Sequence, residues 1–171
     1  MRSHKYLRGA GFGLVALLLV SCEDGATFGG DSFRAQYTVA RNALEEGNYP
    51  RANRAYERLL PKSGAMETRV RLEYAHSQLR AGNFAAAATQ ARLVANSPDP
   101  AAHPAGLAVL GTAEHELGLA LIRKGDTAGG VKLLRQAETS LSKVLKKNQE
   151  LDPLGALSDR RASIRARLKA L

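Results

Sequence analysis

The chain has 171 residues, a single cysteine, no tryptophan and a formal net charge of +9, and 5% of its residues are aromatic. A lone cysteine excludes an internal disulfide framework. So few aromatic side chains mean that a core has to be built by close contact between helices. Alanine is abundant, proline appears only six times and runs of β-branched residues are absent, so we expect an all-α protein.

The first segment is typical of a secretory signal peptide. Arg2, Lys5 and Arg8 precede an apolar stretch of about nine residues, far shorter than the roughly 20 residues of a membrane-spanning helix. We therefore predict that residues 1–21 are removed. About 150 residues then remain, which corresponds to one domain.

The stretch Leu19-Val20-Ser21-Cys22 resembles the lipobox of bacterial lipoproteins. The resemblance implies that the chain is cut before Cys22, which is acylated on its sulfur and on its new amine. Several acyl chains hold a protein on a membrane far more firmly than one chain does. An ordinary signal peptide with an accidental or buried cysteine stays open as an alternative.

Residues 22–32 contain three glycines and three acidic residues, and we expect them to form a flexible tether. In enterobacterial lipoproteins, retention at the inner membrane requires Asp directly after the cysteine, and here that position is Glu23. By this resemblance we expect the protein at the outer membrane, facing the periplasm.

A three-residue turn recurs along the chain and is followed each time by a small residue. Glycine ends a helix in the left-handed conformation, and Asn or Asp caps the next helix. The small residue lets the two helices approach closely, so each turn predicts an antiparallel helical hairpin. The turns are Gly47-Asn48-Tyr49, Gly82-Asn83-Phe84 and Gly125-Asp126-Thr127, and the small residues are Ala52, Ala87 and Gly130.

These units resemble the tetratricopeptide repeat (TPR), a helix-turn-helix unit of roughly 34 residues. The resemblance implies an all-α, TPR-like α-solenoid of about three repeats, at residues 33–66, 68–101 and 104–149. The sequence departs from the TPR consensus at three positions. Ala91 and Leu134 replace the aromatic residue of the second helix, and Thr127 replaces the aromatic residue of the turn. A plain helical bundle stays open as an alternative.

Residues 150–171 predict an amphipathic helix that caps the solenoid. Its apolar stripe consists of Leu154, Leu157, Ile164, Leu168 and Leu171, and its basic face of Arg160, Arg161, Arg165 and Lys169. Residues 123–171 hold 12 Lys and Arg against 5 Asp and Glu. An alternative function is therefore a surface-binding module that uses this helix on anionic lipid or acidic glycan.

The sequence contains no recognisable catalytic motif. His115-Glu116 begins like a zinc-protease signature, but Leu119 stands where the second histidine is needed. Neither a phosphate-binding GxxxxGK nor a GxSxG sequence is present. We therefore expect a protein that is not an enzyme and that needs no cofactor or metal.

Binding of a partner is the leading interpretation. In TPR proteins, positions 2, 5, 9 and 12 of the first helices line a concave groove. The resemblance carries these positions over to Arg34, Tyr37, Arg41 and Leu44, to Arg69, Leu72, His76 and Leu79, and to Thr112, His115, Leu119 and Ile122. Arginine suits carboxylates, and the leucines suit apolar side chains.

We therefore expect this groove to bind an acidic and apolar segment of an envelope protein. The lipid anchor would attach the protein to the membrane, and nucleic acid is not an expected partner, because chromosomal DNA does not reach the periplasm. The layout resembles TPR lipoproteins of envelope and pilus assembly. Any one of the apolar groove residues is also compatible with a place in the core.

Overall fold

The computed structural model describes residues 27–171, so the predicted signal peptide and residues 22–26 of the predicted tether, Cys22 included, lie outside the described residues. Residues 27–32 of that tether are helical. Within residues 27–171 the chain forms seven α-helices and no strands. Three short 3₁₀ turns, Leu60–Lys62, Gly64–Met66 and Gln149–Leu151, connect some of them. The helices are α1 (Thr27–Glu45), α2 (Tyr49–Leu59), α3 (Glu67–Arg80), α4 (Phe84–Ala95), α5 (His103–Arg123), α6 (Thr127–Lys147) and α7 (Ala156–Lys169). The expectation of an all-α fold is confirmed for these residues.

The three predicted turns separate α1 from α2, α3 from α4 and α5 from α6. Their glycines have the positive φ angles that favour this residue: 74° at Gly47, 78° at Gly82 and 91° at Gly125. Each turn is followed directly by the next helix. The chain thus forms three helical hairpins in succession.

Two of the three polar turn residues cap the helix that follows. The Asn48 side chain accepts from the amide of Arg51 at 3.3 Å, and the Asp126 side chain accepts from the amide of Gly129 at 2.8 Å. Asn83 makes no such bond. The expected capping role therefore holds for the first and third hairpins and not for the second.

Each helix packs mainly against its neighbours in sequence. The two helices of each hairpin are in contact, and the hairpins are joined by α2 against α3 and α4 against α5. Helix α7 packs on α6 and also touches α5. Buried side chains form one cluster near each hairpin.

The first two clusters are rich in alanine, and the third is mostly leucine and isoleucine. The first contains Ala40, Ala43, Ala52, Tyr56, Leu59 and Val70. The second contains Ala75, Ala87, Ala88, Ala91, Leu110 and Ala113. The third contains Leu134, Ala137, Leu141 and Ile164. Small side chains let the helix backbones approach closely. Less space is then left between the helices, so the core is filled without large aromatic residues.

Helices α5 and α6 approach each other closely at two glycines. A Cβ placed on Gly118 would stand 3.0 Å from the carbonyl oxygen of Gly130, and one placed on Gly130 would stand 2.7 Å from that of Gly118. Any larger residue would push the two backbones apart. Gly130 is the small position that follows the third predicted turn.

Helix α5 is also long and apolar enough, by length and composition alone, to cross a membrane. It packs between α4 and α6 and carries seven buried residues, among them Glu114 and His115. These features are those of the central helix of the fold.

Candidate binding groove between α1 and α3

A cavity of about 420 Å³ opens between α1 and α3. We call this cavity the α1–α3 groove. It is lined by Arg41, Leu44, Glu45, Tyr49, Glu73, His76 and Arg80. Arg41, Leu44 and His76 come from the predicted groove positions, and the structure brings these three together.

Glu73 organises the polar part of this groove. The hydroxyl of Tyr37 on α1 donates to its Oε1 at 2.6 Å, and the hydroxyl of Tyr56 on α2 donates to its Oε2 at 3.0 Å. Tyr56 is fully buried, and burial, followed by the nearby Glu73, raises the pKa of its phenol. Tyr56 therefore remains a hydrogen-bond donor at any physiological pH.

Two predicted groove arginines contact the same carboxylate. Arg41 Nη1 lies 3.4 Å and Arg69 Nε 3.3 Å from Oε1 of Glu73. Arg41 also pairs with Glu45 at 2.7 Å, and this bond, followed by contacts with Tyr37 and Glu73, raises the pKa of Arg41 above its usual value. Both guanidinium groups are thus oriented before any partner arrives.

Arg80 and Tyr49 form the other end of the groove. Arg80 Nε donates to the hydroxyl of Tyr49 at 3.2 Å, and its guanidinium carbon lies 5.9 Å from the centre of the Tyr49 ring. A cation over an aromatic face is held in place without losing its charge. Arg80, Tyr49 and Glu73 were not among the groove positions predicted from the sequence.

The remaining predicted positions of the first two hairpins are spread more widely. Arg34 is exposed on α1 and Leu72 is half-buried on α3. Leu79 packs against the second buried cluster. None of the three lines the α1–α3 groove.

The predicted positions Leu119 and Ile122 on α5 are partly buried by other helices. Leu119 and Ile122 pack against the third buried cluster, to which α7 contributes Ile164. Thr112 uses its hydroxyl to donate to the carbonyl of Ala108 at 2.9 Å. The structure therefore places these residues apart from the α1–α3 groove.

His115 is 6% exposed and lies under α7. Arg160 of α7 places Nη1 2.7 Å from its Nδ1, and the same Arg160 forms an ion pair with Glu116. Burial, followed by the charge of Arg160, lowers the pKa of His115. This geometry requires a neutral imidazole that accepts at Nδ1.

The predicted basic surface divides into two halves. Arg160 pairs with Glu116, as above, and Arg161 Nη2 pairs with Glu138 at 2.7 Å. Arg165 and Lys169 are exposed farther along α7. Two of the four cations therefore hold α7 onto the fold, and two point to solvent.

The chain matches no protein-family model, no curated protein and no solved structure. Within residues 27–171 no group of three or more His, Cys, Asp or Glu residues is placed to hold a metal ion.

Proposed function

We propose that this chain is a lipid-anchored periplasmic adaptor whose α1–α3 groove binds an acidic and apolar segment of another envelope protein. We infer that its hairpins form a TPR-like α-solenoid. The lipobox-like residues around Cys22 support the anchor. The succession of three hairpins supports the TPR-like fold. The role that we propose for the protein is assembly of an envelope machine such as a pilus or secretion system.

The observation that carries the proposal is the chemistry of the α1–α3 groove. Its cavity of about 420 Å³ has two arginines, Arg41 and Arg80, with the apolar side chain of Leu44 beside them. Its two acids, Glu45 and Glu73, both pair with Arg41 and leave Arg80 without an acidic partner in the lining. Arginine binds carboxylates through two parallel hydrogen bonds. A segment that alternates acidic and apolar residues would satisfy both kinds of side chain at once.

Arg80 is the cation best placed to receive a partner's carboxylate. Within the part of the chain that the structure describes, it makes no ion pair, and its one hydrogen bond goes to Tyr49. Arg41 and Arg69 already face Glu73, so a partner's carboxylate would have to share them with that residue. We therefore expect Arg80 to contribute most to affinity and Arg41 to orientation.

Titration with synthetic peptides tests the proposal. The full chain in detergent is mixed with fluorescent ten-residue peptides that alternate Glu with Leu, and binding is followed by anisotropy. Arg80→Ala, and Arg41→Ala with Arg69→Ala, should each weaken binding about tenfold, the loss expected for one charge-assisted contact. Peptides that alternate Lys with Leu should not bind.

The matched control is Arg54→Ala with Arg58→Ala, which removes the same charge from exposed positions on α2. This control should keep binding within about twofold of the unchanged protein, and circular dichroism should show equal helicity in all variants. Equal losses in the groove variants and the control would refute the assignment of the groove.

A further inference from the structure

Glu114 on α5 is a buried carboxylate that is satisfied on one side only. Its side chain is 3% exposed, and Oε1 accepts from Arg92 Nη2 at 2.8 Å. Oε2 is buried and has no hydrogen-bond partner within residues 27–171. Burial raises the pKa of Glu114, and the pairing with Arg92 offsets this in part. A buried oxygen of this kind lacks the donor that buried acceptors usually have.

A cavity of about 520 Å³ opens directly on Glu114. It is lined by Arg92, Glu114, Arg135, Gln136, Thr139 and Ser140. A second cavity of about 420 Å³ lies beside it, between α6 and α7, and reaches Arg165 and Lys169. Arg135 and Thr139 line both cavities, so the two are adjacent along α6, and we call them together the α6 groove.

The α6 groove carries an excess of positive charge. Arg92, Arg135, Arg165 and Lys169 line it, and its two acids, Glu114 and Glu138, each already face an arginine. An ammonium group is therefore a poor partner for Oε2 of Glu114, because it would lie among like charges. A neutral donor that belongs to an anionic ligand fits both the buried oxygen and the surrounding cations.

The uncharged residues of the lining supply hydrogen-bonding groups. Gln136, Thr139 and Ser140 offer both donors and acceptors, and Leu168 is the one apolar residue among those that line the two cavities. The hydroxyl groups of a sugar would find partners on most sides.

We propose that the α6 groove binds an acidic oligosaccharide, with a sugar hydroxyl donating to Oε2 of Glu114 and the sugar carboxylates pairing with Arg135 and Arg165. The site lies on α4, α5, α6 and α7 and shares no residue with the α1–α3 groove. It stands independently of the proposed peptide partner, because the two grooves are tested with different ligands and different variants.

Calorimetric titration with tetragalacturonate tests the proposal on the full chain in detergent. Arg135→Gln should weaken binding about tenfold, since it removes the cation that joins the two cavities. The matched control Arg54→Gln changes the same charge at an exposed position on α2 and should stay within about twofold. Methyl-esterified tetragalacturonate, which keeps the hydroxyls and loses the charge, should bind at least about tenfold more weakly.

Glu114→Gln tests the hydroxyl contact and should also weaken the binding of tetragalacturonate. Circular dichroism checks that this variant keeps its fold. Arg135 is an exposed residue, so its variant keeps the test decisive if the Glu114 variant fails to fold. Three results would each overturn the proposal: equal losses in Arg135→Gln and Arg54→Gln, equal or tighter binding of tetraglutamate, or binding of phosphatidylglycerol vesicles without binding of the sugar.

Discussion

At the scale of single residues, Glu73 connects the first hairpin to the second. Its carboxylate accepts from Tyr37 and Tyr56 and faces Arg41 and Arg69. Because its side chain is 16% exposed, these contacts are less screened than those of a surface ion pair. The groove wall is therefore held by interactions within the chain, and the proposed partner would meet side chains that are already oriented.

His115 makes the stability of the fold depend on pH. Its pKa is lower in the folded state, because it is buried and faces Arg160. The folded protein therefore binds a proton less readily than the unfolded chain, and the free energy of unfolding should fall as the pH falls below about 6.5. A protonated ring would also lose the acceptor that Arg160 uses.

Urea denaturation of the unchanged protein and of His115→Gln at pH 7.5 and pH 5.5 measures this effect. We expect the unchanged protein to lose more stability over that interval than the variant does. Because Glu114 and the other titrating groups are present in both proteins, the comparison isolates His115. Parallel losses in the two proteins would contradict the assigned role.

At the scale of elements, α7 covers the apolar surface of α6. Ile164 is fully buried against Leu134, Ala137 and Leu141. Replacing it by alanine leaves a cavity, and we expect Ile164→Ala to lower the free energy of unfolding by about 2–4 kcal/mol. Chemical denaturation measures the loss.

Leu154→Ala is the matched control from the same segment, because Leu154 is 91% exposed. We expect this change to stay within about 0.5 kcal/mol. If the two variants lost similar amounts, α7 would not be packed on α6 in solution as described.

The sequence predicts the hairpins better than the ends of the last helix. Local signals suffice for the turns, since Gly47 and Asn48 act on residues next to them. The apolar spacing also includes Leu154 and Leu171, but α7 begins at Ala156, after Gly155 with a φ of 75°, and ends at Lys169. Both leucines thus lie beyond the helix and are exposed, because spacing identifies a face and not the residue at which a helix starts or stops.

The polar residues at the two grooves were harder to predict for a different reason. Glu73 matters because α1 and α2 bring donors to it from 36 and 17 residues away. Glu114 is buried because α4 and α6 pack against α5, and no local sequence pattern shows this packing. The predicted positions Arg41, Leu44 and His76 do meet at one cavity. His115 instead lies under α7, and helical spacing does not show that α7 packs against this face of α5.

At the scale of the whole molecule, the proposed anchor and the proposed binding sites belong to separate parts of the chain. Cys22 precedes every described residue, and the grooves lie on α1 to α3 and on α4 to α7. The predicted tether lies between the proposed anchor and the grooves, and its residues 27–32 belong to α1.

Cys22→Ser tests the anchor. Because acylation on the cysteine would supply the membrane affinity, the variant should lose incorporation of an alkyne-labelled fatty acid in a Gram-negative host and leave the membrane fraction. Glu23→Asp is the control, which should keep the label and move the protein from the outer to the inner membrane. Retention of the label in Cys22→Ser would contradict lipidation at this residue.

Photocrosslinking in living cells tests whether the α1–α3 groove holds an envelope protein. A photoreactive amino acid replaces His76, which lines the α1–α3 groove, or Leu93, which is exposed on α4. We expect position 76 to crosslink to one envelope protein, through an acidic and apolar segment. This crosslink should be lost when Arg80→Ala is added. Crosslinks to the same protein from position 93, or crosslinks from position 76 that survive Arg80→Ala, would contradict this expectation.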